Sequence, residues 1–156
     1  MPLFKTILYP TDFSDNADKS IDYLKYLRNA GAEKIILLNV IHQRILDTME
    51  TIHKTSYFQD ARYREDMDEA VQKLEKDRRN KIAPVAAELE AVGFEVNIRI
   101  EKGSPAREIL KVEKEEAISA IVMTSHGRSN FAGARIGSVS GKVIRRSVTP
   151  VLLVKR

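Results

Sequence analysis

The sequence predicts a single α/β domain: an open, mostly parallel, doubly wound five-stranded sheet with helices on both faces. Three observations predict it. Apolar runs of strand length alternate with segments of helical period, which is the βαβ pattern of such sheets. The run Ile35-Ile36-Leu37-Leu38 is apolar toward both faces, as in strands covered on both sides. The length, 156 residues, is that of one domain, and no linker, internal repeat or low-complexity stretch divides residues 1–156.

The elements follow in order. Residues 3–9 read as a buried strand that Pro10 stops. Ser14 is a candidate N-cap for a helix carrying Ala17, Ile21, Leu24 and Leu27 at helical spacing, and Gly31 is placed to end it. A second strand covers 34–41. Residues 42–61 are expected as a lid-like insertion, in which Ile45, Leu46, Met49 and Ile52 can form a short amphipathic helix while Thr55 to Asp60 lacks a clean period. A long helix over 62–92 follows. Pro84 lies inside it, so a kink or break is expected near Asn80 to Pro84. Residues 94–100 alternate strictly, which fits a strand with one wet face at or near a sheet edge. Gly103-Ser104-Pro105 supplies a turn, an N-cap and a proline at the first helical position of a helix reaching Glu116. Residues 117–123 form the fourth strand, 138–147 the last helix and 151–154 the fifth strand.

Composition narrows the function classes. With 43% apolar and 31% charged residues the chain suits a soluble globular domain. No apolar run approaches a membrane span, and the N-terminus lacks a signal-peptide pattern, so a cytoplasmic location is expected. The absence of cysteine excludes disulfides, thiolate metal sites and thiol catalysis. Basic residues number 26 and acidic residues 22, interleaved along the chain, which argues against a nucleic-acid footprint. His42 and His53 read as surface or capping residues, since no cluster keeps metal-ligand spacing with them.

The richest stretch is Thr124-Ser125-His126-Gly127-Arg128-Ser129-Asn130, followed by Gly137-Ser138-Val139-Ser140-Gly141. It leaves a strand and enters a helix, and nine residues separate Gly127 from Gly137. Glycine admits positive φ and close approach of a ligand, and the first amides of a helix lack internal partners. Ser138 and Ser140 add hydroxyls, while Arg128 and Arg135 add charge to balance a phosphate. The same residues equally suit an ordinary loop with a helix N-cap.

Ser125-His126-Gly127-Arg128 with Gly137-Ser138 resembles the nucleotide-binding signature of universal stress proteins: Gly-x-x-Gly, nine residues, then Gly-Ser or Gly-Thr. The resemblance extends from Ile7-Leu8-Tyr9-Pro10-Thr11-Asp12 to Pro150-Val151-Leu152-Leu153-Val154. It implies a Rossmann-like fold of the adenine nucleotide alpha hydrolase type with strand order 3-2-1-4-5. The loops after strands one and four then meet at the switch point, where such sheets bind ligands.

The resemblance also implies roles. Asp12 would reach the ribose, or a magnesium ion bound with the phosphates. Pro10, Thr11 and Val40 would frame the adenine, with Met123 opposite. Gly127 and the turn Gly137-Ser138-Val139-Ser140 would offer donors to the phosphates, with His126 nearby. The expected ligand is ATP or AMP, with magnesium. The blander readings are a capping role for Asp12, core roles for Val40 and Met123, and a structural one for His126. Thr124 departs from the signature, standing where its first glycine belongs, and a Cβ aimed into the crevice would weaken binding. An apolar last strand at the sheet edge, covered in the family by a second subunit, implies a homodimer through residues 150–155.

Catalysis finds little support. The sequence has no Gly-x-x-x-x-Gly-Lys-Ser/Thr loop, His-Glu-x-x-His or Gly-x-Ser-x-Gly, so slow ATP hydrolysis is the most expected of it. Two functions remain: a nucleotide-dependent regulatory protein, and a dimeric interaction module of the same fold that binds no nucleotide.

Overall fold

The computed structural model describes residues 3–13, 17–56, 62–125 and 136–155. Its elements are β1 (Thr6–Pro10), α1 (Ala17–Asn29), β2 (Lys34–His42), α2 (Gln43–Ser56), α3 (Arg62–Ala91), β3 (Glu95–Gly103), α4 (Pro105–Glu115), β4 (Ala120–Thr124), α5 (Ser138–Arg146) and β5 (Val151–Val154). The five strands form one sheet in the order β3-β2-β1-β4-β5, with every neighbouring pair parallel. The implied order is the observed one.

Alternation along the strands builds two cores. Ile7, Tyr9, Ile35 and Leu37 face α1 and α3, where Ile21, Leu24, Ile82 and Leu89 cover them. Leu8, Ile36, Leu38 and Ile121 face the other way, under Ile109, Val112 and Val143 of α4 and α5. Two helical turns are closed by glycine for a stated reason. Gly31 and Gly93 hold φ of 102° and 104°, the left-handed conformation that lets a helix end. The amides of Ala32 and Phe94 then reach back to the carbonyls of Leu27 and Leu89.

Several elements differ from expectation. α3 continues through Pro84 as one helix, so the break expected as one outcome does not occur. Pro84 is exposed, so the carbonyl it leaves unpaired lies on the side of the helix that water can reach. Most of the expected insertion is regular helix, with β2 passing into α2 without a loop; residues 57–61 lie outside the described residues. The half-buried stripe of α2 is Ile45, Leu46, Met49 and His53, whereas Ile52 is exposed. Spacing of four from Ile45 through Met49 lands on His53, so the stripe passes Ile52 by. β3 extends to Gly103, and β4 starts at Ala120 because Ala117 to Ser119 are needed for the turn out of α4. Ser104 occupies the N-cap position of α4 without a side-chain capping bond. The expected N-cap Ser14 lies outside the described residues.

A candidate nucleotide site at the switch point

β1 and β4 are neighbours whose chains leave the sheet in opposite directions, β1 toward β2 and β4 toward β5. Beyond their carboxyl ends lies a cavity of about 360 Å³. Of the residues expected there, Pro10, Thr11, Asp12, Val40, Met123, Thr124, Gly137, Ser138, Val139 and Ser140 line it. His126, Gly127 and Arg128 lie outside the described residues, as does Arg135.

The wall is mostly aliphatic. Leu38 and Val40 come from β2, Met123 from β4, Ile45 from α2, and Pro105 and Ile109 from α4. A flat, weakly polar group fits such a wall, and a few polar groups at its edges would orient it. Asp12 supplies one edge, from the loop after β1. The first turn of α5 supplies another.

That turn is organised differently from expectation. Gly137 is the N-cap of α5 at φ −67° and ψ 165°, an extended conformation that does not itself require glycine. Its amide donates to the Ser125 carbonyl at 2.6 Å. The Ser140 side chain is buried, and its hydroxyl donates to the Thr124 carbonyl at 2.8 Å. A serine hydroxyl has one proton to donate, so Ser140 anchors the helix to the end of β4 and cannot also donate to an anion. What α5 offers a ligand is the set of first-turn amides that no helix supplies with partners, at the positive end of its dipole.

Thr124 does not close the crevice: the cavity stands with its half-buried side chain in the wall. The described residues flanking 126–135 are fixed to the fold. The Ser125 amide donates to Val154 at 2.9 Å, and the Ser125 carbonyl receives Gly137, so β4, β5 and α5 converge on one buried serine.

The sequence reading missed three contributions. His42 caps the start of α2 as expected, its Nδ1 accepting the Arg44 amide at 3.1 Å, but it also lines the cavity, which the sequence did not indicate. Ile45, placed by the apolar period of α2, faces the cavity as well. Asn39 sits in the apolar run of β2, is 1% exposed, and donates through Nδ2 to the Thr11 carbonyl at 2.8 Å. A polar residue inside an otherwise apolar strand was the available signal, since buried amides are costly unless bonded.

Among the described residues no three His, Asp or Glu side chains form a group able to hold a metal ion. No described helix is long and apolar enough to cross a membrane.

Fold and cavity together define a doubly wound α/β protein with an open crevice at its switch point. The Universal stress protein family model matches residues 3–155, and the chain belongs to that family. It is 37% identical to universal stress protein MJ0577 of Methanocaldococcus jannaschii, over 99% of this chain and 96% of that protein. A solved structure of MJ0577 superposes with a TM-score of 0.82, covering 99% of this chain and 97% of the other. Two more distant structures share the fold. One is a universal stress protein in complex with cAMP (20% identity, TM-score 0.65, 97% of each chain). The other is the universal stress protein from Archaeoglobus fulgidus in complex with dAMP (18% identity, TM-score 0.60, 98% of this chain and 99% of that one).

Proposed function

We propose that this chain binds an adenine nucleotide at the carboxyl end of its sheet, and that occupancy acts as a regulatory switch in a stress response. The carrying observation is the open cavity at the switch point, with an aliphatic wall for a base, Asp12 at one edge and the α5 amides at another. The cAMP and dAMP held by two structures of the same fold support the ligand class. ATP or AMP is the ligand proposed here. Val40 and Met123 would flank the base, Asp12 would meet the ribose, and the amides of Ser138 and Val139 would meet phosphate. Magnesium would arrive with the phosphates of ATP, within reach of Asp12, and screen their charge.

Turnover is not part of the proposal. Asp12 is the one carboxylate in the described cavity wall, and a single carboxylate there is poorly equipped both to orient water and to neutralise a leaving group. The proposed setting is the cytoplasm. The proposed assembly is a homodimer through β5, whose neighbourhood exposes Leu152 and Val148; an apolar edge strand is otherwise a pairing hazard.

The experiment is direct. Purified protein is denatured and the released small molecules are separated by charge and read by adenine absorbance; co-purified ATP or AMP is expected. The second reading, a dimeric interaction module without nucleotide, is favoured by Thr124 in place of a motif glycine. Release of no adenine, joined to no binding when AMP is added back, would select it.

A further inference from the structure

We infer that Asn39, buried behind the candidate site, is the residue that positions Asp12, and that it does so at a cost to the stability of the strand carrying it. The inference rests on the nucleotide reading above. β1 ends at Pro10, and one last backbone bond continues its ladder, from the Thr11 amide to the Leu38 carbonyl at 2.8 Å. Beyond that point the strands part. The Asn39 side chain takes over, its Nδ2 donating to the Thr11 carbonyl at 2.8 Å. On the far side of the same residue the Phe13 amide donates to Thr11 Oγ1 at 3.2 Å. Thr11 is therefore held through its amide, its carbonyl and its hydroxyl, and Asp12 is the next residue, in the cavity wall.

Asn39 is not there for packing. Its neighbours along β2 are apolar, it is 1% exposed, and its Oδ1 is a buried acceptor with no hydrogen-bond partner. An amide half satisfied in a core is worse for stability than an apolar side chain of similar shape. Such a residue marks a place where folding and function pull apart. The bond from Nδ2 to Thr11 fixes the plane of the peptide that leads into Asp12, and a carboxylate held in one place loses less freedom when a ligand arrives. Asn39 touches no ligand in this scheme; it acts through Thr11 and Asp12.

The test is a double-mutant cycle on the full chain, with AMP as the probe. Asn39→Leu is expected to weaken AMP by about tenfold, the worth of one lost hydrogen bond, while Tm stays level or rises. In an Asp12→Asn background the same substitution is expected to add little, because the group it positions has already been altered. If Asn39→Leu leaves AMP affinity unchanged, or its loss adds in full to that of Asp12→Asn, the inference is overturned. If Tm falls in step with affinity, Asn39 is merely structural and the inference is overturned likewise. Should Asn39→Leu fail to fold, Asn39→Ser, too short to reach Thr11, carries the affinity arm of the cycle against Asp12→Asn, where a loss that adds in full overturns the inference. If the wild-type chain binds no AMP, the nucleotide reading fails and this inference with it, an outcome separate from wild-type binding that Asn39→Leu leaves intact.

Discussion

The hydroxyl of Ser140 and the carbonyl of Thr124 are joined at 2.8 Å, which fixes the first turn of α5 against the end of β4. Two walls of the candidate site are thereby joined directly. The family's signature serine region thus does part of its work inside the protein. Ser140→Ala is expected to lower stability by about 1 kcal/mol and to weaken AMP modestly, by loosening the helix amides. Denaturant unfolding and calorimetry on the same sample check both.

Thr124→Gly should strengthen nucleotide binding if the β-branched side chain crowds the ligand. Bulk inserted at a packed contact costs about 1–3 kcal/mol, which is roughly a five- to 150-fold change in Kd. An unchanged Kd would mean that the side chain in the cavity wall leaves the nucleotide's place clear.

Glu113 gives a pH dependence with a definite sign. It is buried in α4, where it accepts hydrogen bonds from the Ser147 hydroxyl and from the amides of Val148 and Thr149. Burial alone would raise its carboxyl, but the bonds from Ser147, Thr149 and Val148 outweigh it and hold the group below the ordinary glutamate value. A lowered folded-state pKa stabilises at pH above the unfolded value and loses that stabilisation as pH falls through the folded one. Tm is therefore expected to drop on acidification below the usual glutamate range, and Glu113→Gln should flatten that part of the profile. Thermal melts across acid pH make the comparison.

Gly103 ends β3, two residues before the proline that enters the cavity wall. Its φ is 144°, and a Cβ there would lie 2.8 Å from Glu108 Oε1. Gly103→Ala is expected to cost about 1–3 kcal/mol through backbone strain, with a lower Tm as the readout. A smaller effect on AMP should accompany it as Pro105 shifts.

Much of this fold was legible from residue pattern because its strongest signals are local. The doubly apolar run Ile35 to Leu38 announced a buried parallel strand, and the alternation from Phe94 onward announced an edge. The site was legible as a set of loops, and the family resemblance supplied the strand order that brings Asp12 and Thr124 to one crevice. What escaped depended on tertiary partners. The helix phase of α2 half-buries His53 and exposes Ile52, and the His53 ring meets that of Tyr63 on α3 edge-on at 6.5 Å between centroids. Pro84 looks like a helix breaker in one dimension, but the structure turns it to solvent. Ser140 has the composition of a ligand-facing residue and Asn39 stands out as a polar residue in an apolar strand, but only the positions of Thr124 and Thr11 reveal their partners.

The most direct measurement is a calorimetric titration of the purified, nucleotide-stripped chain with AMP and with ATP plus magnesium. Saturable binding at one site per chain, weakened by Asp12→Asn, is the expected result. No heat at millimolar nucleotide would contradict it, leaving a family member whose crevice serves something other than an adenylate.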